Sequence, residues 1–330
     1  MFRLGLLIAL CMPMMVSAMT LRISTLYPDG TSVVSALRAA SDEIEKRTDG
    51  RVKLRIFPGG VMGDDRAVQR KITIGQLHGA LAQGGAFSRF YRDSQILNLP
   101  IAFRSYDEVD HVRRELDPAI RQGFRDNGWV VFGPVDGGFA YIMSQRPVDT
   151  VDALRRQKIW LPANDTGSEK AARVFGVSPI MLSVGTVLTS LQTGAIDAFA
   201  APPVAALTLQ WHSRVKHMSD VPLLYTYGML AISDKYFSSL SPADQRVVEE
   251  VLAQAFAKMD RDSRQENLQA FQAIQQQGLN LVAPTDEQLA EWRSFADKAV
   301  SQLVSEGEIS QVMLDRFQRL LTEFRNGAGG

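Results

Sequence analysis

Alternation is the first pattern along this chain. In "RVKLRIFPGG", residues 51–60, Val52, Leu54 and Ile56 alternate with Arg51, Lys53 and Arg55, the two-residue period of a strand with one covered face. Before it, "TLRISTLYPDG" reads as a strand, and Thr31 or Ser32 caps a helix that runs toward Gly50. This is a βαβ opening. Further strands are predicted at "GALAQG", "GWVVFGPV", "YIMS", "KIWLP", "SPIML" and "AIDAFAA", with helical stretches between them. Such alternation argues for doubly wound parallel sheets.

Two segments break this rhythm. "GWVVFGPVDGGFAYIMS" and "VPLLYTYGMLAIS" are long extended runs with glycines in the middle, as expected where a strand leaves one domain and enters another. Gly137, Gly138 and Gly228 then mark a hinge. From Ser241, with Pro242 at the first helical position, a helical pattern continues to about Gln277, and Thr285 with Gln288 opens another helix as a capping box. The long helix is placed to brace both lobes. The predicted organisation is a segment 1–18 removed on export, a first lobe of 19–138 and 228–265, and a second of 139–227 and 266–330. The fold class is α/β, two-lobed, with crossover hinge strands.

Composition narrows the function. The 330 residues carry 36 basic and 36 acidic side chains, so no strong basic field attracts nucleic acid or an anionic membrane. Arg3, the apolar run Leu4 to Val16 and the small residues Val16-Ser17-Ala18 read as a cleaved secretory signal, because the run is shorter than the roughly 20 residues a spanning helix needs. That places the mature protein in the periplasm. Cys11, the one cysteine, lies in this segment, so the mature chain has no disulfide, thiol nucleophile or thiolate metal site.

The search for catalytic motifs returns none. There is no phosphate loop, no His-Glu-x-x-His, no Gly-x-Ser-x-Gly and no calcium-loop spacing. "PGGVMGDD" lacks the dinucleotide spacing and reads as a turn into a helix at Asp64. His212 and His217, five residues apart, fall on different helix faces, and His78 and His111 stand alone. An enzyme, a metal centre and a cofactor site are all disfavoured. Two lobes, a cleft and an export signal fit a protein that closes around a solute.

"GGVMGDDRAVQRKITIGQLHGAL", "LNLPIAF", "KIWLPAND" and "SLQTGAIDAFAAPP", in this order, resemble the solute-binding proteins of tripartite ATP-independent periplasmic (TRAP) transporters, the DctP-like family. The resemblance covers nearly all of the mature chain. Its most specific piece is Leu191-Gln192-Thr193-Gly194 followed by Ile196-Asp197. It implies two α/β lobes, β-strand hinges, a long helix across the back, and delivery of solute to a small four-helix subunit and a large permease.

The departures from the family pattern bear on the ligand. Where typical members read Lys-Ile-Arg-Val-Pro, with the arginine forking onto a ligand carboxylate, this chain has Trp160. A second family arginine falls on Ala140, the family's Glu-Asn-Pro on Ala200-Ala201-Pro202, and a glutamate and a tyrosine on Thr186 and Leu188. The resemblance therefore points to an arginine-lacking subgroup that holds apolar ligands and is partnered by tetratricopeptide-repeat proteins. A hydrophobic or amphipathic ligand is expected, lying against Trp160 unless that ring is core packing. A small organic acid held without the arginine, or a ligand sensor for a signalling receptor, are the alternatives. Tyr27, Gln83, Gly84, Gly85, Phe87, Phe139, Asn164 and Phe199 are further candidates, because they lie beyond strand ends or beside the altered positions. Trp211 reads as part of an amphipathic helix face.

Overall fold

The computed structural model describes residues 18–163 and 165–327. Residues up to Ser17 of the expected export segment, with Cys11, and the candidate Asn164 lie outside the described residues. The first lobe is built from β1 (Met19–Thr25), α1 (Ser32–Arg47), β2 (Val52–Phe57), α2 (Asp65–Thr73), β3 (Gly79–Gln83) and α3 (Tyr106–Asp126). β4 (Trp129–Ser144) carries the chain out of it. The second lobe follows with α4 (Val151–Arg155), β5 (Ile159–Pro162), α5 (Thr166–Val174), β6 (Ile180–Leu182), α6 (Val187–Thr193), β7 (Ala198–Ala201), α7 (Pro203–Thr208) and β8 (His217–Ser219). β9 (Leu224–Ser233) returns, then come α8 (Asp234–Phe237), α9 (Pro242–Gln276), β10 (Asn280–Val282), α10 (Asp286–Ser305) and α11 (Gln311–Gly327).

The strands form one continuous path, β2-β1-β3-β9-β4-β7-β5-β6. Inside each lobe the expected parallel pairing is present, with β1 parallel to β2 and β3, and β5 parallel to β6 and β7. The crossover strands differ. β9 runs antiparallel to β3 and β4, and β4 antiparallel to β7, because one strand takes the chain out of the first lobe and the other brings it back. β4 shifts register between Phe132 and Val135 and again between Asp136 and Gly138, bends of the kind that let one strand serve two lobes. Gly138 has φ +87°, and a Cβ there would sit 2.5 Å from Asn267 Cγ, so only glycine fits.

α9 spans the back. Its 35 residues make a rod of about 52 Å, started by Ser241 Oγ accepting from the Asp244 N–H at 3.1 Å. It packs on α1 and β4 and, in the second lobe, on α7. Polar contacts tie it to the crossing, where Ser263 Oγ donates to the Asp136 carbonyl at 2.6 Å and Asn267 Nδ2 to the Gly137 carbonyl at 3.2 Å. Two further expected caps form: Asp64 Oδ1 accepts from Ala67 N–H at 2.9 Å at the start of α2, and Thr285 with Gln288 makes a capping box.

Each lobe buries apolar clusters on both faces of its sheet. α10 packs on α4 and α5. α11 lies on α3, adding Leu314, Phe317 and Leu321 to the cluster of Phe103, Leu116 and Phe124. An amphipathic helix has the same period whichever lobe receives it, so its docking was not written in the sequence pattern. Among the described residues, no helix is long and apolar enough to cross a membrane.

Candidate functional site

Four strands from the two lobes end at one cavity of about 1280 Å³. Tyr27 just after β1, Gln83 at the end of β3, Pro162 at the end of β5 and Ala201 at the end of β7 all line it. Ligands of open α/β sheets sit at this end of the strands. The first-lobe wall adds Asp65, Arg66, Gln69 and Arg89. The second-lobe wall adds Ile159, Trp160, Ala171, Ala172 and Val204.

Trp160 is both wall and core. Its relative exposure is 4%, its indole N–H donates to the Leu182 carbonyl at 2.9 Å, and its ring meets that of Trp211 edge-on with centroids 5.0 Å apart. Phe199 meets Trp211 in the same way at 5.3 Å. The ring therefore belongs to the apolar cluster behind β5 while closing one side of the cavity. Its polar atom is spent inside the protein, so what it offers a ligand is apolar surface.

The other sequence candidates divide. Tyr27, Gln83, Gly85, Ala140 and Ala201 line the cavity with Trp160. Gly84, Phe87, Phe139, Thr186 and Phe199 are not part of its lining. Phe87 is buried against Phe124, Phe139 lies between Tyr106 and Tyr225 in the first-lobe cluster, and Phe199 is fully buried beside Trp211. Thr186 is exposed and bonds locally to the Ser183 carbonyl at 2.8 Å. Gly84 serves packing, since a Cβ there would meet Tyr227 Oη at 2.5 Å. Trp211 sits in a short 3-10 turn rather than an amphipathic helix, and it too lines the cavity.

Several lining residues escaped sequence reading. Asp165 caps α5, accepting from the Ser168 N–H at 3.0 Å, and its Oδ1 is 4.0 Å from the position a Gly85 Cβ would take. The N-terminus of α5 thus faces the turn after β3 across the cleft. Burial raises the Asp165 pKa. Burial, with Asp64 and Asp165 adding to it, pushes the Asp65 carboxyl up to about 6. Burial together with the Asp136 carboxylate pushes the Tyr27 hydroxyl up to about 12, so Tyr27 acts as a neutral hydrogen-bonding group. The signal available was position alone: Asp65 follows the glycine turn after β2, and Asp165 follows β5 by three residues.

Below the cavity the crossing holds a buried polar network. Tyr225 Oη donates to Asp136 Oδ2 at 3.0 Å, and Arg113 Nη1 donates to Tyr225 Oη at 3.1 Å and to Asp260 Oδ1 at 2.9 Å. Arg264 Nε lies 3.4 Å from Asp136 Oδ2 while its fork grips Asp110. Burial, opposed by Arg264 and the Tyr225 bond, pushes Asp136 up to about 6. These bonds connect α3, β4, β9 and α9, the elements that a hinge must hold in register. Among the described residues, no group of three or more His, Cys, Asp or Glu side chains is placed to hold a metal ion.

Comparison with known proteins covers most of the chain. The family described as bacterial extracellular solute-binding protein, family 7 (DctP), matches residues 23–306. The sialic acid-binding periplasmic protein SiaP of Vibrio cholerae is 22% identical over 280 residues, covering 83% of this chain and 86% of that protein. The C4-dicarboxylate-binding periplasmic protein DctP of Rhodobacter capsulatus is 23% identical over 276 residues, with 82% of each chain covered. Among solved structures, a TRAP periplasmic solute-binding protein from Xanthobacter autotrophicus with bound β-D-galacturonate superposes with a TM-score of 0.83 at 18% identity, over 92% of this chain and 99% of that one.

Proposed function

The chain belongs to the DctP family, the bacterial extracellular solute-binding proteins of family 7, and we propose that the solute it captures is amphipathic or hydrophobic rather than a small polar acid. As a TRAP solute-binding protein it delivers a ligand to the membrane transporter, and its family consists of binding proteins, not enzymes. The observation that carries the ligand reading is the second-lobe wall. Where relatives are expected to present arginine, this chain presents Trp160 and Ala140, both lining the cavity and both almost fully buried. A carboxylate pressed on that wall would lose water without gaining a donor, a cost of about 1–3 kcal/mol or more. The arginine-lacking subgroup, with its tetratricopeptide-repeat partner, is the reading this wall supports.

Export to the periplasm through residues 1–18 belongs to the same proposal. The direct test is native mass spectrometry of freshly purified protein, which should show a retained apolar or amphipathic molecule. Calorimetric titration with succinate, malate or sialic acid should give no heat of binding. Micromolar affinity for any of them would overturn the reading and favour an organic acid held by Gln83, Arg66 or backbone amides instead.

A further inference from the structure

Away from the hinge strands, the two lobes touch along one face of α5. Gly167 and Lys170 stand three residues apart on that helix and so share a side of it. Gly167 is buried, and a Cβ on it would lie 2.5 Å from Gln95 Oε1. Lys170 Nζ pairs with Glu306 Oε2 at 2.7 Å and also with Glu308. Gln95 belongs to the 3-10 turn Arg92–Asn98 that lies between β3 and α3 of the first lobe. It lines the cavity together with Gly167.

The turn that carries Glu306 and Glu308, between α10 and α11, is fastened to the first lobe. α10 places Trp292 and Ala296 in the cluster of Phe175 and Val177, and ends with Leu303 in the cluster of Phe103 and Phe124. Ser310 then donates to Asp93 twice, from its N–H at 2.6 Å and from its hydroxyl at 2.7 Å. Gln95 Nε2 donates to the Glu308 carbonyl at 3.0 Å, and Ile309 is buried in the same cluster as Phe103. Asp93 and Gln95 are buried, whereas Lys170, Glu306 and Glu308 stay partly open to water. Parting Ser310 from Asp93 would strand a buried carboxylate, but parting Lys170 from its glutamates returns groups to water that already reaches them. One end of the turn is built to hold and the other to let go.

We propose that α5 and the turn 306–310 form a latch that holds the lobes together around the captured solute. Lys170 is its releasable contact, and Gly167 lets α5 approach Gln95 closely enough for the ion pair to form. Because Gln95, Gly167 and Ile309 also line the cavity, the latch lies beside the solute it closes over. The inference rests on the solute-binding function of the family and not on the chemistry of the ligand.

The test uses the chain without residues 1–18, which contain its one cysteine, carrying spin labels at Arg70→Cys on α2 and Gln192→Cys on α6, both exposed positions. A carbodiimide, which condenses a paired lysine and carboxylate into an amide, should join Lys170 to Glu306 or Glu308, read by peptide mass spectrometry. Pulsed electron double resonance should then show the distance between the labels confined to its short range. Lys170→Arg keeps the ion pair but cannot be coupled, so the same treatment should leave its distances unchanged. Lys170→Met should lower the ratio of short to long distances about two- to fivefold, the effect expected of partly exposed ion pairs, with an unchanged melt. If no Lys170 amide forms, the latch is overturned. It is also overturned if the amide forms while neither coupling nor Lys170→Met alters the distances, because α5 and the turn then move as one body. Either result leaves the reading of the ligand as it stands.

Discussion

The two walls of the cleft are made of different chemistry. The first-lobe wall presents Asp65, Arg66, Gln69, Gln83 and Arg89, side chains on α2 and in and after β3 that keep access to water. The second-lobe wall presents Ile159, Trp160, Ala171, Ala172 and Ala201, which continue the apolar clusters beneath them. One wall is an exposed surface, and the other is the edge of a core. Changes on the first should alter which ligand binds, whereas changes on the second should alter whether the lobe stays folded as well.

The largest effect should come from reversing the character of the second wall. Trp160→Arg places a guanidinium among Phe199, Trp211 and Val187 and leaves the Leu182 carbonyl without the indole donor. Thermal melts should show a greater loss than for Trp160→Ala, itself expected to cost about 3–5 kcal/mol. An arginine variant as stable as the wild type would show that position 160 opens freely to solvent, and the contrast between the walls would fail.

Next in size is the seam between the lobes. Gly138→Ala forces a Cβ onto a residue at φ +87° and into Asn267, so a loss of about 1–3 kcal/mol is expected. Because the strain falls on the crossing strand, solution scattering with bound ligand should also report a changed degree of closure. An unchanged melt would show that the α9 strap yields easily.

On the first wall, Gln83→Ala should leave the melt within about 0.5 kcal/mol of wild type and weaken ligand binding by about 0.5–1.5 kcal/mol, the usual worth of one neutral hydrogen bond. Equal losses of stability and affinity would erase the difference between the walls.

The smallest effect is a pH dependence. Asp65 has its carboxyl pushed up to about 6 from an ordinary 3.8, burial being the main cause. The native state therefore holds this proton more tightly than the unfolded chain. The stability it contributes is full below the ordinary value and is lost as pH rises toward 6. Asp65→Asn should remove part of the difference in melting temperature between pH 4 and pH 7, a part kept small because the side chain is only partly buried and solvent screens its charge. Asp136 acts in the same direction from inside the crossing, so the variant flattens the profile without abolishing it. An unaltered profile would place the titration at the other raised carboxyls, Asp117, Asp136 and Asp165.

By itself the sequence determined the elements and their order. Period-two alternation placed β2, the glycine-bearing runs placed β4 and β9, and Ser241-Pro242 and Thr285 with Gln288 placed the starts of α9 and α10, because these signals depend only on near neighbours. The family resemblance further implies that polar or charged positions of the family pattern fall here on Trp160, Ala140 and Ala201. Only the tertiary structure decided what those residues face. Trp160 reads the same whether a cluster or a cavity lies beside it, and it proved to touch both. Phe139, next to Ala140, turned into the first-lobe cluster because neighbouring strand residues point to opposite faces, whereas Phe199 shares the face of Trp160 and Ala201 and is fully buried beside Trp211. Asp165 raises the pKa of Asp65, a hundred residues away, only because folding brings their strand ends to one cavity. Periodicity reports that a face is covered; which element covers it, and how closely, is settled by packing between segments far apart in the chain.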